Sequence, residues 1–320
     1  MGPAPRLVTF GETMLRLGAP TGVPLESADS LDLHVGGAES NVAVAAQRLG
    51  LDATWCSRLP ASPLGRRVVN EIRSHGVSVA VDWDDDARQG LYFVDAGGEP
   101  RGTEVVYDRA DAAITTARPG DLPMGTVRSA DAFLTTGITP ALSETLRETT
   151  ATVLAAADDA EPTTVFDVNY RSKLWEPDEA AHTFRDLLPR VDVLTVADRD
   201  ARQVLGRDGD PTAIAESLFE EYDLEVAIVT VGEEGVVAVS SAGVHDRDVV
   251  PADTVDPIGT GDAFLGGFLA WYVGGAEVDR ALDAAAATAS LKRTVAGDVA
   301  VVTRDDVEAV IAGSGADIDR

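Results

Sequence analysis

The chain is 320 residues long, 45% of them apolar, with 54 acidic side chains against 26 basic ones and a net charge of −28. That apolar share is ample for a large core, and a chain so acidic is repelled by nucleic acid and by anionic membrane surfaces, so neither is an expected partner. Apolar stretches such as 263–273 stay short of the roughly 18 residues a bilayer span requires.

In chain order, Leu7 to Phe10 is predicted as a short strand stopped by Gly11. Val35 leads into Gly36-Gly37, and Ala38 to Leu49 has helical periodicity with Gly50 as its stop. Thr54 to Cys56 reads as a strand and Leu64 to His75 as a helix closed by Gly76. The lone Cys56 excludes an intramolecular disulfide and reads as a free core thiol in a reducing, cytoplasmic setting. The first five residues lack the basic-then-apolar pattern of a secretory signal. Leu91 to Val94 and Thr103 to Tyr107 suggest a hairpin around Gly97-Gly98. Strands are predicted at Ala132 to Thr135, Thr164 to Val168, Val193 to Val196 and Val226 to Val231, with helices near 141–157, 178–188 and 211–222 between them. Such alternation implies an α/β fold with a mainly parallel sheet covered on both faces. One kinase-sized domain is expected over residues 5–312, with a discontinuous β lid formed by about 12–35 and 77–113, where the rhythm breaks.

The strongest chemical signal is Asp256-Pro257-Ile258-Gly259-Thr260-Gly261-Asp262, followed by an apolar helix beginning near Asp262. Two glycines around a threonine let backbone N–H groups converge, and the helix adds its positive end, so the segment can form an anion hole from Gly259, Thr260 and Gly261. A carboxylate at its mouth, Asp262, can take a proton from an attacking hydroxyl. Without further context the same residues would read as a tight turn with an acidic helix cap. The segment is neither a Walker A loop nor a dinucleotide fingerprint. The second signal, Gly36-Gly37-Ala38-Glu39-Ser40-Asn41, lets a ligand approach the backbone and offers Asn41 in the first helical turn; alone it reads equally as a packed strand-to-helix turn.

Taken together, in this order and about 220 residues apart, these segments resemble the two signatures of the ribokinase-type (PfkB) carbohydrate kinases. The resemblance extends over most of the chain. It implies a ribokinase-like three-layer fold, a β lid over the sugar, and ATP with Mg²⁺ at the C-terminal edge of the sheet. Asp262 would be the catalytic base. Thr230, Gly232, Glu233 and Gly235 would lie along the nucleotide, together with Gly259 and Gly261, and Asn169 near the phosphates or their magnesium waters. The family's Asn-x-x-Glu magnesium motif is altered here to Ala197-Asp198-Arg199-Asp200, so Asp200, acting through water, is the one candidate metal residue. His34, His75, His182 and His245 show no ligand spacing and read as surface or loop residues.

Within the family, the combination of Gly36, Gly37, Tyr92, Tyr107, Arg109 and Asn169-Tyr170-Arg171-Ser172-Lys173-Leu174-Trp175 is most similar to the 2-keto-3-deoxygluconate kinases. Glu12 stands where ribokinases usually carry an aspartate. The resemblance places Gly36, Gly37, Asn41, Tyr92, Tyr107, Arg109, Arg171, Asp262 and Asp298 around the substrate. Two arginines facing a sugar suit a carboxylate, which guanidinium binds in a planar fork. The expected reaction is ATP-dependent phosphorylation of 2-keto-3-deoxygluconate, with the galactonate epimer not distinguished, at the C6 hydroxyl in a modified Entner–Doudoroff sugar-acid pathway. A neutral-sugar kinase of fructokinase or ribokinase type is the alternative, and an inactive sugar or nucleotide sensor the remote one. The family resemblance also suggests a homo-oligomer joined through the lids.

Lysine is almost absent, with only Lys173 and Lys292, and acids are spread along the whole chain. This pattern resembles proteins of salt-accumulating halophiles, in which molar salt cuts the screening length to about 3 Å.

Overall fold

The structure, a computed structural model, describes residues 3–20, 22–97, 100–160 and 162–313. Gly98, half of the expected hairpin turn, lies outside them, as do Met1 and Gly2 at the start of the segment read for a signal. Strands in chain order are β1 (Arg6–Phe10), β2 (Met14–Gly18), β3 (Asp32–Gly36), β4 (Asp52–Pro60), β5 (Ser78–Asp84), β6 (Leu91–Ala96), β7 (Thr103–Asp108), β8 (Ala132–Thr136), β9 (Thr163–Asp167), β10 (Val193–Ala197), β11 (Val226–Thr230), β12 (Val236–Ser240) and β13 (Gly243–Arg247). The helices are α1 (Ala38–Arg48), α2 (Pro63–Ser74), α3 (Met124–Arg128), α4 (Ile138–Ala141), α5 (Glu144–Asp158), α6 (Pro177–Leu187), α7 (Asp198–Gln203), α8 (Pro211–Tyr222), α9 (Thr260–Tyr272), α10 (Val278–Arg293) and α11 (Arg304–Ile311).

Nine strands form the main sheet in the order β13-β12-β11-β10-β9-β8-β1-β4-β5, parallel from β11 to β5 and antiparallel at β12 and β13. Successive side chains point to opposite faces, and both faces are apolar. Phe10, Phe133, Phe166, Leu194 and Val229 pack with Leu146, Phe184 and Ile214 of α5, α6 and α8. Leu7, Leu134, Val165, Val193 and Ile228 pack with Val42, Phe268 and Leu282 of α1, α9 and α10. The three-layer α/β fold expected from the alternation is therefore present. Among the described residues, no helix is long and apolar enough to cross a membrane.

A second sheet has the order β3-β2-β6-β7, and the expected β6–β7 hairpin pairs Leu91 with Asp108 through Ala96 with Thr103. One boundary of the expected lid is corrected. Residues 78–84 belong to the main sheet, where β5 pairs in parallel with β4 from Thr54↔Ser78 to Pro60↔Asp84. The run Ser-Val-Ala-Val-Asp-Trp-Asp is a half-buried edge strand, and because no helix follows it, it looked like part of the irregular insertion.

The reading of His245 is also corrected. It is buried on β13, with Nε2 at 2.9 Å from Ser240 Oγ and Nδ1 at 3.0 Å from Asp279. Cys56 is buried as expected, and burial pushes its thiol up to about 12.

Candidate active site

The C-terminal ends of the parallel strands and the small sheet enclose a cavity of about 470 Å³. Its wall includes Gly36, Gly37, Asn41, Tyr92, Tyr107, Arg109, Asn169, Arg171, Gly259, Thr260, Gly261, Asp262 and Asp298. All nine residues that the resemblance placed around the substrate are among them. A second cavity of about 260 Å³ contains Thr230, Gly232, Glu233 and Gly235, and shares Thr260 and Gly261 with the first. The glycine–threonine turn is thus the partition between two chambers.

Local geometry explains this turn. Helix α9 starts at Thr260, two residues earlier than expected, which places Asp262 in its first turn. Asp256 Oδ1 accepts the Ile258 N–H at 3.0 Å, and Thr260 Oγ1 donates to the Pro257 carbonyl at 2.7 Å. Gly259 is left-handed (φ 81°), and a Cβ there would stand 1.9 Å from the Asp298 carbonyl oxygen, so both conformation and space demand glycine. At Gly261 a Cβ would meet nothing within 4 Å, so the missing side chain leaves the space beside the helix N-terminus open. That opening, the Gly261 N–H and the helix dipole together fit a phosphate chain, while the Thr260 N–H donates to the Pro257 carbonyl at 3.3 Å. The second chamber offers an apolar wall from Phe264, Ala286 and Ala289, suited to a flat aromatic base.

Asp262 accepts a hydrogen bond from Asn41 Nδ2 at 2.7 Å. Asn41 lines the cavity, and this amide is committed to orienting the carboxylate. Burial pushes Asp262 up to about 6, against the hydrogen bond from Asn41 and the charge of Arg171. A carboxylate at that value is ionised at neutral pH and a better proton acceptor than an exposed aspartate. The paired glycines serve packing as well as access. A Cβ on Gly36 would meet Asp298 Oδ2 at 2.2 Å and Tyr92 Oη at 2.6 Å, and one on Gly37 would meet the Glu12 carbonyl oxygen at 2.1 Å.

Two further carboxyls escaped the reading of functional residues. Glu39, fully buried, accepts from the Thr136 N–H and from the Thr136 and Thr139 hydroxyls, and burial raises it to about 7. Asp167, at the end of β9, is raised to about 7 by burial and then by the charge of Asp262. Glu39 sits inside the second motif and Asp167 just before Asn169, so their positions were visible even though their burial was not. Asn169 has a left-handed backbone (φ 36°) and donates its N–H to Asp167 Oδ1 at 3.3 Å.

The cationic wall differs in one respect from a pair of free arginines. Arg109 Nη2 lies 2.9 Å from Glu12 Oε2, with side chains 10% and 5% exposed. The contact is ionic without hydrogen-bond alignment. Arg109 Nε and Nη2 and both Glu12 oxygens lack an aligned partner in the protein. Burial, opposed by Arg109, raises Glu12 above the usual carboxylate range. Arg171 spends one N–H on the Tyr170 carbonyl, at 3.2 Å, and stays more exposed. Two cations approach the Tyr107 ring, Arg109 at 5.3 Å and Lys173 at 5.9 Å from its centroid. Tyr92 donates its hydroxyl to Asp298, which also receives Arg16.

Asp200 is not in the wall of the first cavity but lies beside it, in a cavity that shares Tyr107, Arg109 and Arg171 with the first. This third cavity, of about 440 Å³, is also lined by Lys173 and Arg199, and Asp200 Oδ1 accepts from Arg199 Nε at 3.1 Å. Among the described residues no group of three or more His, Cys, Asp or Glu side chains could hold a metal ion.

The chain is similar over nearly its whole length to sugar-acid kinases. A 2-dehydro-3-deoxygalactonokinase of Haloferax volcanii is 57% identical over 314 residues, covering 98% of this chain and 99% of its own. A 2-dehydro-3-deoxygluconokinase of Thermoproteus tenax is 35% identical over 297 residues, covering 91% of this chain and 89% of its own. The crystal structure of a 2-dehydro-3-deoxygluconokinase from Thermotoga maritima superposes with a TM-score of 0.91 at 31% identity, over 97% of this chain and 99% of the other. The model of the pfkB family carbohydrate kinases matches residues 4–304, and the chain belongs to that family.

Proposed function

We propose that this protein transfers the γ-phosphoryl group of ATP to the C6 hydroxyl of 2-keto-3-deoxy sugar acids, both 2-keto-3-deoxygluconate and its galactonate epimer. The observation that carries the acid-sugar reading is the cationic wall of the first cavity. Arg109, ion-paired with Glu12, and the more exposed Arg171 both line it. A guanidinium in such a wall can meet a substrate carboxylate in charge-assisted hydrogen bonds, and more of the Arg171 guanidinium than of Arg109 is free to do so. The relatives named for these two substrates support the same reading.

In the proposed mechanism, Asn41 holds the Asp262 carboxylate at the mouth of the nest. Asp262 takes the proton of the C6 hydroxyl as that oxygen bonds to the γ-phosphorus and the bond to the β-phosphate oxygen breaks. Backbone N–H groups of Gly259 and Gly261, and that of Thr260 once turned from the Pro257 carbonyl, receive the negative charge on the transferred group. The nucleotide's phosphates would pass along the opening at Gly261, with Thr230, Gly232, Glu233 and Gly235 beside the nucleoside. Mg²⁺, when bound to the phosphates, supplies charge neutralisation; Asn169 and, through water, Asp200 are its candidate partners. The small sheet, reduced to 12–35 and 91–113, serves as the lid and as the surface for self-association, and molar salt is the working medium.

The test is a coupled ATP-consumption assay in high KCl with both keto acids, ribose and fructose. Turnover of the keto acids with kcat/KM at least a hundredfold above the neutral sugars is the expected result. Preference for ribose or fructose would replace the reading with a neutral-sugar kinase, and no ATP consumption with any of the four would leave the sensor.

A further inference from the structure

Lys292, one of the two lysines in the chain, is fully buried in the last turn of α10. An ammonium is retained in such a place only when its charge and its donors are met. Its Nζ donates to two main-chain oxygens, the Asp256 carbonyl at 2.9 Å and the Val295 carbonyl at 3.4 Å. Burial lowers its pKa, and the nearby charges of Asp256, Asp298 and Asp262 act in the opposite sense. Chemically, an ammonium held on carbonyl oxygens is a tethered monovalent cation.

The two segments it joins are the ones that shape the nest. Asp256 opens the glycine turn, and its carboxylate accepts the Ile258 N–H at 3.0 Å and the Gly297 N–H at 3.2 Å. The 295–298 segment ends at Asp298, whose carbonyl packs where a Cβ of Gly259 would be and whose carboxylate lines the sugar cavity. Arg16, reaching in from β2 of the small sheet, binds Asp256 at 2.9 Å and Asp298 at 2.7 Å. Lys292 therefore grips the main chain of both segments, while Arg16 links their carboxylates to the sheet above.

We propose that the Lys292 ammonium is a positioning residue for phosphoryl transfer. Acting as a built-in monovalent cation, it fixes the Asp256–Gly259 turn against the 295–298 segment and so keeps the N–H groups of the nest aimed at the transferred group. This rests on the reading of that nest as the anion hole. Two consequences follow from a cation that is covalently supplied: the wild-type protein needs no separate monovalent ion at this point, and shortening the side chain opens a space, beside carbonyl oxygens, for an alkylammonium of the lost length.

The experiment compares wild type, Lys292→Met and Lys292→Ala, assayed in NaCl with each keto acid, alongside melting curves and circular dichroism. Both variants are expected to lose kcat about ten- to a hundredfold, the range of a charge-assisted hydrogen bond, with KM for sugar acid and ATP within threefold of wild type. Propylammonium, which replaces the atoms removed in Lys292→Ala, should restore kcat saturably, and tetramethylammonium at the same ionic strength should not. Lys292→Met carries the split between kcat and KM should the alanine variant not fold. A folded Lys292→Met variant with kcat within threefold of wild type overturns the proposal, as does equal restoration by tetramethylammonium. Failure of the kinase reading itself would show separately, as wild type inactive on both keto acids.

Discussion

Replacing Asp262 by asparagine separates catalysis from stability, because the two are expected to move in opposite directions. The carboxylate is raised from 3.8 to about 6 chiefly by burial. A group whose folded pKa lies above its unfolded one stabilises the fold fully below the unfolded value, and that contribution is lost as pH rises through the folded value. At pH 7.5 the wild type has lost it. Asparagine is neutral at every pH and can still accept from Asn41, so the variant avoids the penalty. A shift of roughly two units corresponds to at most about 3 kcal/mol, and less here because the carboxylate faces the cavity. The melting temperature of Asp262→Asn should therefore exceed that of wild type by a few degrees at pH 7.5, the gain vanishing near pH 4. Over the same comparison kcat should fall by about 10²–10⁴, the usual loss for a missing general base, while ATP affinity measured by calorimetry stays within threefold. A folded variant turning over within threefold of wild type would refute the assignment of the base. Equal melting temperatures at pH 7.5 and pH 4 would refute the electrostatic account of its pKa.

Other expectations are simpler to check. The acid limb of kcat against pH should have its midpoint near 6, where Asp262 gains its proton; an unchanged kcat down to pH 5 would contradict this. Arg109→Ala and Arg171→Ala should each raise KM for the keto acid about ten- to a hundredfold and leave KM for ATP unchanged, with lysine a poor substitute; normal KM in both would return the neutral-sugar reading. Dialysis into 50 mM salt should lower both activity and melting temperature, since the screening length grows from about 3 Å at 1 M to about 10 Å at 0.1 M; full retention of both would end the halophile reading.

The fold was readable because the buried strands of a parallel sheet are short and β-branched, as in Val226–Thr230, and each is set off by an amphipathic helix. β5 was misassigned because an edge strand with no following helix lacks that rhythm. The lining of the candidate site was legible through glycines and charged residues whose side-chain chemistry is specific, such as Asp262 and Arg171. What could not be read was pairing across distance. Nothing near Glu12 in the chain points to Arg109, and nothing near Arg16 points to Asp256 or Asp298, 240 and 282 residues away. Burial was equally hidden. Lys292 sits in an ordinary-looking helix end, where a lysine is usually a solvated partner of the helix dipole, and here it is enclosed.

The distribution of charge also predicts where added salt would act. Many of the acids that make the chain −28 are exposed, among them Asp85, Asp86 and Asp305, and their mutual repulsion depends on the ionic atmosphere. The scarce cations Arg16, Arg109 and Lys292 are instead turned inward, each against a carboxylate or a carbonyl. Buried pairs are screened far less than exposed ones, so the electrostatics of the site should stay nearly constant while those of the surface change. Inactivation at low salt should accordingly follow loss of the fold, and the fraction still folded should keep its normal KM for both substrates.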